Sequence, residues 1–241
     1  MNTDHLDEAL PPALERLVRQ IEVYCGFEIQ MVHEPLLHTR GALLHDPSSI
    51  VLRFKRYPVC LAVLAHELCH ARRYFVQRIP FFEFLPERVI QVAGRQESAA
   101  THLDNLLEHL VILQEMNDEL GFAKDHTHVA NDLEACESGI ADAFTRKCTL
   151  LTNWLLASHH FPPYVERYRA LLGNDHLLEK GESLLSDVHR AGTSKAKTIA
   201  ALVRSLGIDL GEIRLRYRNP TLRCDDGAML PDVLAEEQSK T

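Results

Sequence analysis

The segment Val59 to Ala71 most constrains what this chain can fold into, because it is apolar on nearly every helical face and yet carries a His-Glu-x-x-His pattern. Pro58 precedes it, as suits a helix start, so the pattern predicts a helix buried in a core. Residues four apart on a helix lie one above the other, which points the imidazoles of His66 and His70 the same way. Such polar groups are costly to bury without partners, and a metal ion is a partner for both rings.

Glu67 adds a candidate general base to the two candidate metal ligands. It lies about 100° round the helix from His66, close enough to reach a water on the metal without being a ligand. Two ligands and a general base on one helix are typical of a metal-assisted hydrolase, in which zinc acidifies its bound water and polarises a carbonyl. A catalytic zinc needs a third protein ligand and keeps its fourth position open.

A third ligand is expected from the helix predicted over Gln96 to Met116. Its acidic residues Glu97, Asp104 and Glu108 fall within about 40° of one another beside the apolar face. We favour Glu108 as the ligand, with Asp104 one turn earlier accepting the other N–H of a zinc-bound imidazole. Glu97 is next in rank, and His109, well round the helix, ranks below both. The alternative is that this acidic stripe is a solvated flank of the helix.

The order of elements around the motif adds a resemblance. A helix, three strands and the motif helix are predicted in succession, and this layout with a buried H-E-x-x-H resembles the minimal zincin metallopeptidases over about residues 10–115. Arg73 and Val76 stand where the metzincin subfamily needs Gly and His, which favours a gluzincin-like site with a Glu ligand. The predicted elements are a helix over Leu10 to Tyr24 stopped by Gly26, strands over Phe27 to Val32, Gly41 to Leu44 and Ile50 to Phe54, and the motif helix ending near Arg78.

A second, narrower resemblance concerns Glu97. It stands at the distance from His70 at which the ImmA/IrrE-like peptidases carry their third ligand, so that resemblance implies Glu97 rather than Glu108. The sequence after it reads Ser98-Ala99-Ala100 and lacks the aromatic residue that those peptidases usually show on the same helix. Both carboxylates therefore stay open as ligands.

Composition limits the remaining function classes. The net charge of −8 argues against a nucleic-acid-binding role driven by phosphate attraction. Residues 1–10 are polar and acidic and do not resemble a secretory signal, and the longest apolar run is too short to span a bilayer. The six cysteines are scattered without a C-x-x-C pair, which favours free thiols in a reducing compartment. We therefore expect a cytoplasmic protein.

These observations together predict an α+β fold with a zincin core of helix, short antiparallel sheet, buried H-E-x-x-H helix and third-ligand helix, and a mostly helical C-terminal half. The expected division is a core over residues 1–120, a helical extension over 121–230 and a disordered tail over 231–241. The expected function is zinc-dependent hydrolysis of peptide bonds, with the helical half available to a protein partner. Two alternatives remain: a metal-dependent hydrolase of non-peptide amides, or a non-enzymatic metal-binding or interaction module.

Overall fold

The computed structural model of the chain describes residue 1, residues 6–92 and residues 95–239. It is an α+β protein, 57% helical and 18% strand, which confirms the predicted fold class. The chain forms two compact units, each assembled from three separate segments rather than from one half of the sequence. The first comprises Met1–Pro80, Ile112–Lys124 and Tyr217–Asp226, and the second comprises Phe81–Val111, Asp125–Arg216 and Gly227–Thr241.

The first unit contains the predicted helix, three strands and motif helix. The first helix starts at Pro12, shortly after the predicted Leu10, and is capped as predicted by Gly26, whose φ of 71° is the left-handed conformation that glycine adopts without a steric penalty. The elements are α1 (Pro12–Cys25), β1 (Ile29–His33), β2 (Gly41–Asp46), β3 (Ser49–Phe54), α2 (Leu61–Ala71) and a π-helical turn (Arg72–Val76).

The three strands form one sheet in the order β1-β3-β2, which places β2 at an edge. Strands β2 and β3 pair antiparallel through a turn in which the Asp46 carboxylate accepts from the Ser48 backbone N–H at 2.7 Å. Strand β1, however, pairs parallel to β3. The prediction of an antiparallel sheet was therefore wrong for β1, because alternation of apolar residues reveals a strand but not its direction.

Helix α2 is buried as predicted, with Leu64, Leu68 and Ala71 fully inaccessible to solvent. Its α-helical part ends earlier than expected, at Ala71, and the chain continues as a π-helical turn, a feature frequent beside functional sites. Arg72 lies on this turn, and its guanidinium contacts Glu115 at 2.7 Å and Glu119 at 2.9 Å.

Helix α3 contributes residues to both units, since residues 99–111 belong to the second and 112–118 to the first. The second unit is mainly helical, which confirms the prediction for the C-terminal half. The helices that follow α2 along the chain are α3 (Ala99–Asp118), α4 (Thr127–Ser138), α5 (Ala143–His160), α6 (Pro162–Asn174), α7 (Leu178–Ala191), α8 (Lys195–Leu206) and α9 (Leu230–Ser239). The remaining strands are β4 (Phe81–Phe84), β5 (Val89–Val92), β6 (Arg95–Ser98), β7 (Ile213–Asn219) and β8 (Cys224–Met229).

Helix α5 lies at the centre of the second unit and contacts α4, α6, α7 and α8. Gly181 lies inside α7 and is buried. A Cβ there would come within 2.9 Å of Leu172 Cδ1 and 3.1 Å of Trp154 Cδ1. The glycine therefore permits close packing of α7 and does not end the helix.

The arginine-rich stretch from Arg214 to Arg223 forms strand β7 and the turn that follows it, and β7 pairs with β4 and β8. One prediction about the C-terminal region differs from the structure. Residues 231–239, predicted as part of a disordered tail, continue α9 from Leu230, since Leu230 and Leu234 bury their side chains and the helix packs on α8. Residues 240 and 241 lie outside the described residues. Among the described helices, none combines the length and apolar character needed to cross a bilayer.

Candidate metal centre

His66 and His70 lie on the same side of α2, as their spacing predicts. Their Nε2 atoms are 3.2 Å apart, and His70 is only 3% exposed. Two zinc–nitrogen bonds of normal length at a tetrahedral angle place their nitrogens about 3.3 Å apart. The pair therefore has the separation that one tetrahedral ion requires.

Glu67, between the two histidines, is buried at 6% exposure. Burial raises the pKa of its carboxyl to about 8, while a hydrogen bond from the Leu43 backbone lowers it. Without a metal, burial thus favours the protonated carboxyl. A nearby cation would favour the carboxylate instead, the form in which a general base acts.

A stack of three rings extends from this pair through the first unit. His70 lies against Tyr74 with ring centroids 6.1 Å apart, and Tyr74 lies against His45 at 4.9 Å. Arg218 Nε donates to His45 Nδ1 at 2.7 Å, and its Nη1 contacts Asp225 at 2.5 Å. Because the guanidinium is always a donor, His45 Nδ1 accepts, and a neutral ring carries its proton on Nε2.

Asp104 and Glu108 are buried on α3 and share one cation. Lys195 Nζ lies 2.8 Å from Asp104 Oδ1 and 2.6 Å from Glu108 Oε1, and all three side chains are at most 7% exposed. The solvated-flank alternative therefore fails for these two carboxylates. Lys195 could not be anticipated from the pattern around α3, because it lies at the start of α8, far along the chain.

Glu97 has a different environment. It lies on strand β6 opposite Ile90, and its side chain is 46% exposed. The predicted helix over 96–116 begins only at Ala99, so the prediction that Glu97 shares a helical face with Glu108 was wrong. The β5–β6 hairpin overrides the helical pattern at these residues.

His109, which ranks below Glu108 and Glu97 as a candidate ligand from the sequence, also lies on α3. It is 6% exposed on α3, and its ring lies 5.1 Å from that of His128. The sequence could not reveal this burial, because His109 lies away from the acidic stripe of the helix.

No protein-family model matches the chain, and neither a curated protein nor a solved structure matches it. The zincin resemblance consequently rests on the H-E-x-x-H pattern and the order of elements. Evidence for the function comes from the chemistry of the residues in the candidate site.

Replacing Lys195 with methionine should destabilise the protein by about 3–5 kcal/mol, because Asp104 and Glu108 would lose the ammonium that neutralises them in a buried place. Urea denaturation measures this loss. Lys197→Met is the matched control, since the Lys197 side chain is 39% exposed and its Nζ lies 3.8 Å from Glu237 Oε2, and it should change stability by less than about 1 kcal/mol. A similarly small loss for Lys195→Met would contradict the neutralising role.

Acid should weaken the fold partly through His102. Burial, with the charge of His128 adding to it, lowers the pKa of His102 to about 4 from 6.5. The unfolded chain therefore binds more protons between these values, so stability present above pH 6.5 is lost as pH falls towards 4. From pH 7.5 to pH 5 we expect His102 to account for a loss of about 1–2 kcal/mol.

The test is urea denaturation at both pH values for wild type, His102→Gln and the control His38→Gln, whose side chain is exposed. The loss on acidification should be smaller in His102→Gln alone. Equal losses in all three proteins would show that His102 does not contribute.

Proposed function

We propose that the chain is a zinc-dependent metallopeptidase of zincin type that hydrolyses peptide bonds with Glu67 as general base. The observation that carries the proposal is the 3.2 Å separation of His66 and His70 Nε2 on a buried helix that also holds Glu67. A helix needs none of these polar groups for packing, and the buried Glu67 and His70 are unfavourable there unless their charge or hydrogen-bonding capacity is matched, which a shared cation would do.

His109 is proposed as the third ligand. Support comes from its burial at 6% exposure and from the donor chemistry of its imidazole. Glu108, favoured from sequence, has its charge balanced by Lys195 at 2.6 Å. As a zinc ligand, the Glu108 carboxylate would have to bind both the Lys195 ammonium and the metal ion. Three imidazoles are a known ligand set for catalytic zinc and leave a position open for water.

When bound, zinc would supply a polarised carbonyl and a more acidic water. Glu67 then has the proton-transfer role: its carboxylate takes the proton from the attacking water and returns it to the leaving amine nitrogen. Burial suits this role, because a carboxyl with a raised pKa holds a proton more firmly than one in water.

The substrate, the partner and the cellular location are also proposed. A peptide or protein is the proposed substrate, and the helical second unit is the proposed surface for a protein partner. Free thiols at all six cysteines accord with the proposed cytoplasmic location. The same water chemistry would serve a non-peptide amide, so substrate class is decided by assay.

Elemental analysis of zinc-loaded protein tests the ligand set. Wild type should hold about one zinc per chain, and His70→Ala and His109→Ala should lose it, whereas Glu108→Gln should retain it. Retention in His109→Ala with loss in Glu108→Gln would restore the sequence-based choice of ligand. Absence of zinc from the wild type would end the metallopeptidase proposal and leave an interaction module.

Glu67→Gln should keep its zinc and lose peptide hydrolysis by about 10²–10⁴-fold, the usual contribution of a general base. The assay is cleavage of a fluorogenic peptide library, run beside simple non-peptide amides. Glu87→Gln, at an exposed glutamate, is the matched control and should cleave at the wild-type rate. A Glu67→Gln enzyme as active as wild type would exclude this role for Glu67.

A further inference from the structure

Strand β2 approaches helix α2 unusually closely at Gly41. The Lys55 backbone N–H donates to the Arg40 carbonyl at 3.1 Å, so Arg40 and Lys55 form a hydrogen-bonded pair of the β2–β3 ladder. Pairing alternates along an antiparallel ladder, and the backbone groups of Gly41 and Leu43 therefore point away from β3. Since β2 is an edge strand, these groups bond outside the sheet: the Gly41 carbonyl accepts from the Thr39 hydroxyl at 2.6 Å, and the Leu43 backbone forms a hydrogen bond with Glu67 on α2.

Space, and not backbone conformation, requires glycine at residue 41. A Cβ there would lie 2.7 Å from Val63 Cγ1, 3.0 Å from Glu67 Oε1 and 3.2 Å from Glu67 Cγ. The first distance is shorter than real Cβ contacts, and the other two are tighter than most. Any side chain at this residue must displace Val63, Glu67 or both.

We propose that Gly41 is a positioning residue for Glu67: its missing side chain leaves the space in which the carboxylate is held against β2. This inference rests on the proposed function, in which Glu67 is the general base. Val63 lies one turn before Glu67 on α2 and borders the same space, so the strand and the helix together fix the carboxylate.

The position of a base matters because proton transfer requires hydrogen-bond reach of the reacting water. A misplacement of about 1 Å can reduce the rate by about 10²-fold, without any effect on the affinity for metal. Gly41 contributes no atom to the ligand set, so its replacement should separate rate from metal binding.

The first experiment compares Gly41→Ala/Val63→Ala with Val63→Ala. Truncation of Val63 removes the shortest contact, so the two proteins differ mainly in the methyl group facing Glu67. The double variant should show kcat lower by about tenfold or more, KM within about twofold, and an unchanged zinc content. Equal kcat values in the two proteins would overturn the proposal.

A cycle with Glu67→Gln shows whether the effect passes through Glu67. In a Glu67→Gln/Val63→Ala background, addition of Gly41→Ala should leave the residual rate unchanged, since no base remains to misplace. A further tenfold loss in that background would mean that Gly41 supports the site generally, which contradicts a role specific to Glu67.

A readout independent of activity separates this inference from the proposed function. Protein labelled with ¹³C at glutamate carboxyls is compared by NMR, the Glu67 resonance being identified by its loss in Glu67→Gln. Gly41→Ala/Val63→Ala should shift that resonance relative to Val63→Ala. If the resonance shifts but the wild type cleaves no peptide, the contact between Gly41 and Glu67 stands and the proposed peptidase function fails. If the resonance does not shift, the proposed contact itself is wrong.

Discussion

The burial of ionisable side chains in apolar helices is the constraint on which the structure depends. On helix α2, Glu67 and His70 are buried beside leucines. On helix α3, Asp104, Glu108 and His109 are buried in the same way. Each group is unfavourable in such surroundings unless its charge or hydrogen-bonding capacity is matched. The rest of the fold can be understood as the set of elements that bring partners to these groups.

The two helices meet this requirement by different means. On α3, an ammonium delivered by the start of α8 neutralises two carboxylates, a contact within the protein itself. On α2, the imidazole pair has the spacing of ligands to one ion, and the carboxylate beside it is held by an edge strand. This contrast distinguishes a structural charge cluster from a candidate reactive one, although both contain buried acids and both look alike in sequence.

Local patterns were predictable and distant partners were not. The i, i+4 spacing of His66 and His70 and the stop at Gly26 depend on a few neighbouring residues, and the structure agrees with both. Glu97 was misplaced because strand pairing overrode a helical pattern. Lys195 lies far along the chain from its partners, so no spacing or periodicity near α3 could predict the contact. The same holds for the space that Gly41 leaves, which exists only once strand and helix are packed.

The segment Tyr217–Asp226 belongs to the first unit although most of that unit precedes residue 81. Through it, Arg218 contacts both the ring and the backbone carbonyl of His45. During synthesis, the ribosome must extend the chain beyond residue 218 before this arginine can reach its partner in β2. The ring stack beside the histidine pair is therefore among the last parts of the unit to assemble, and a nascent chain would carry the motif helix long before its surroundings are complete.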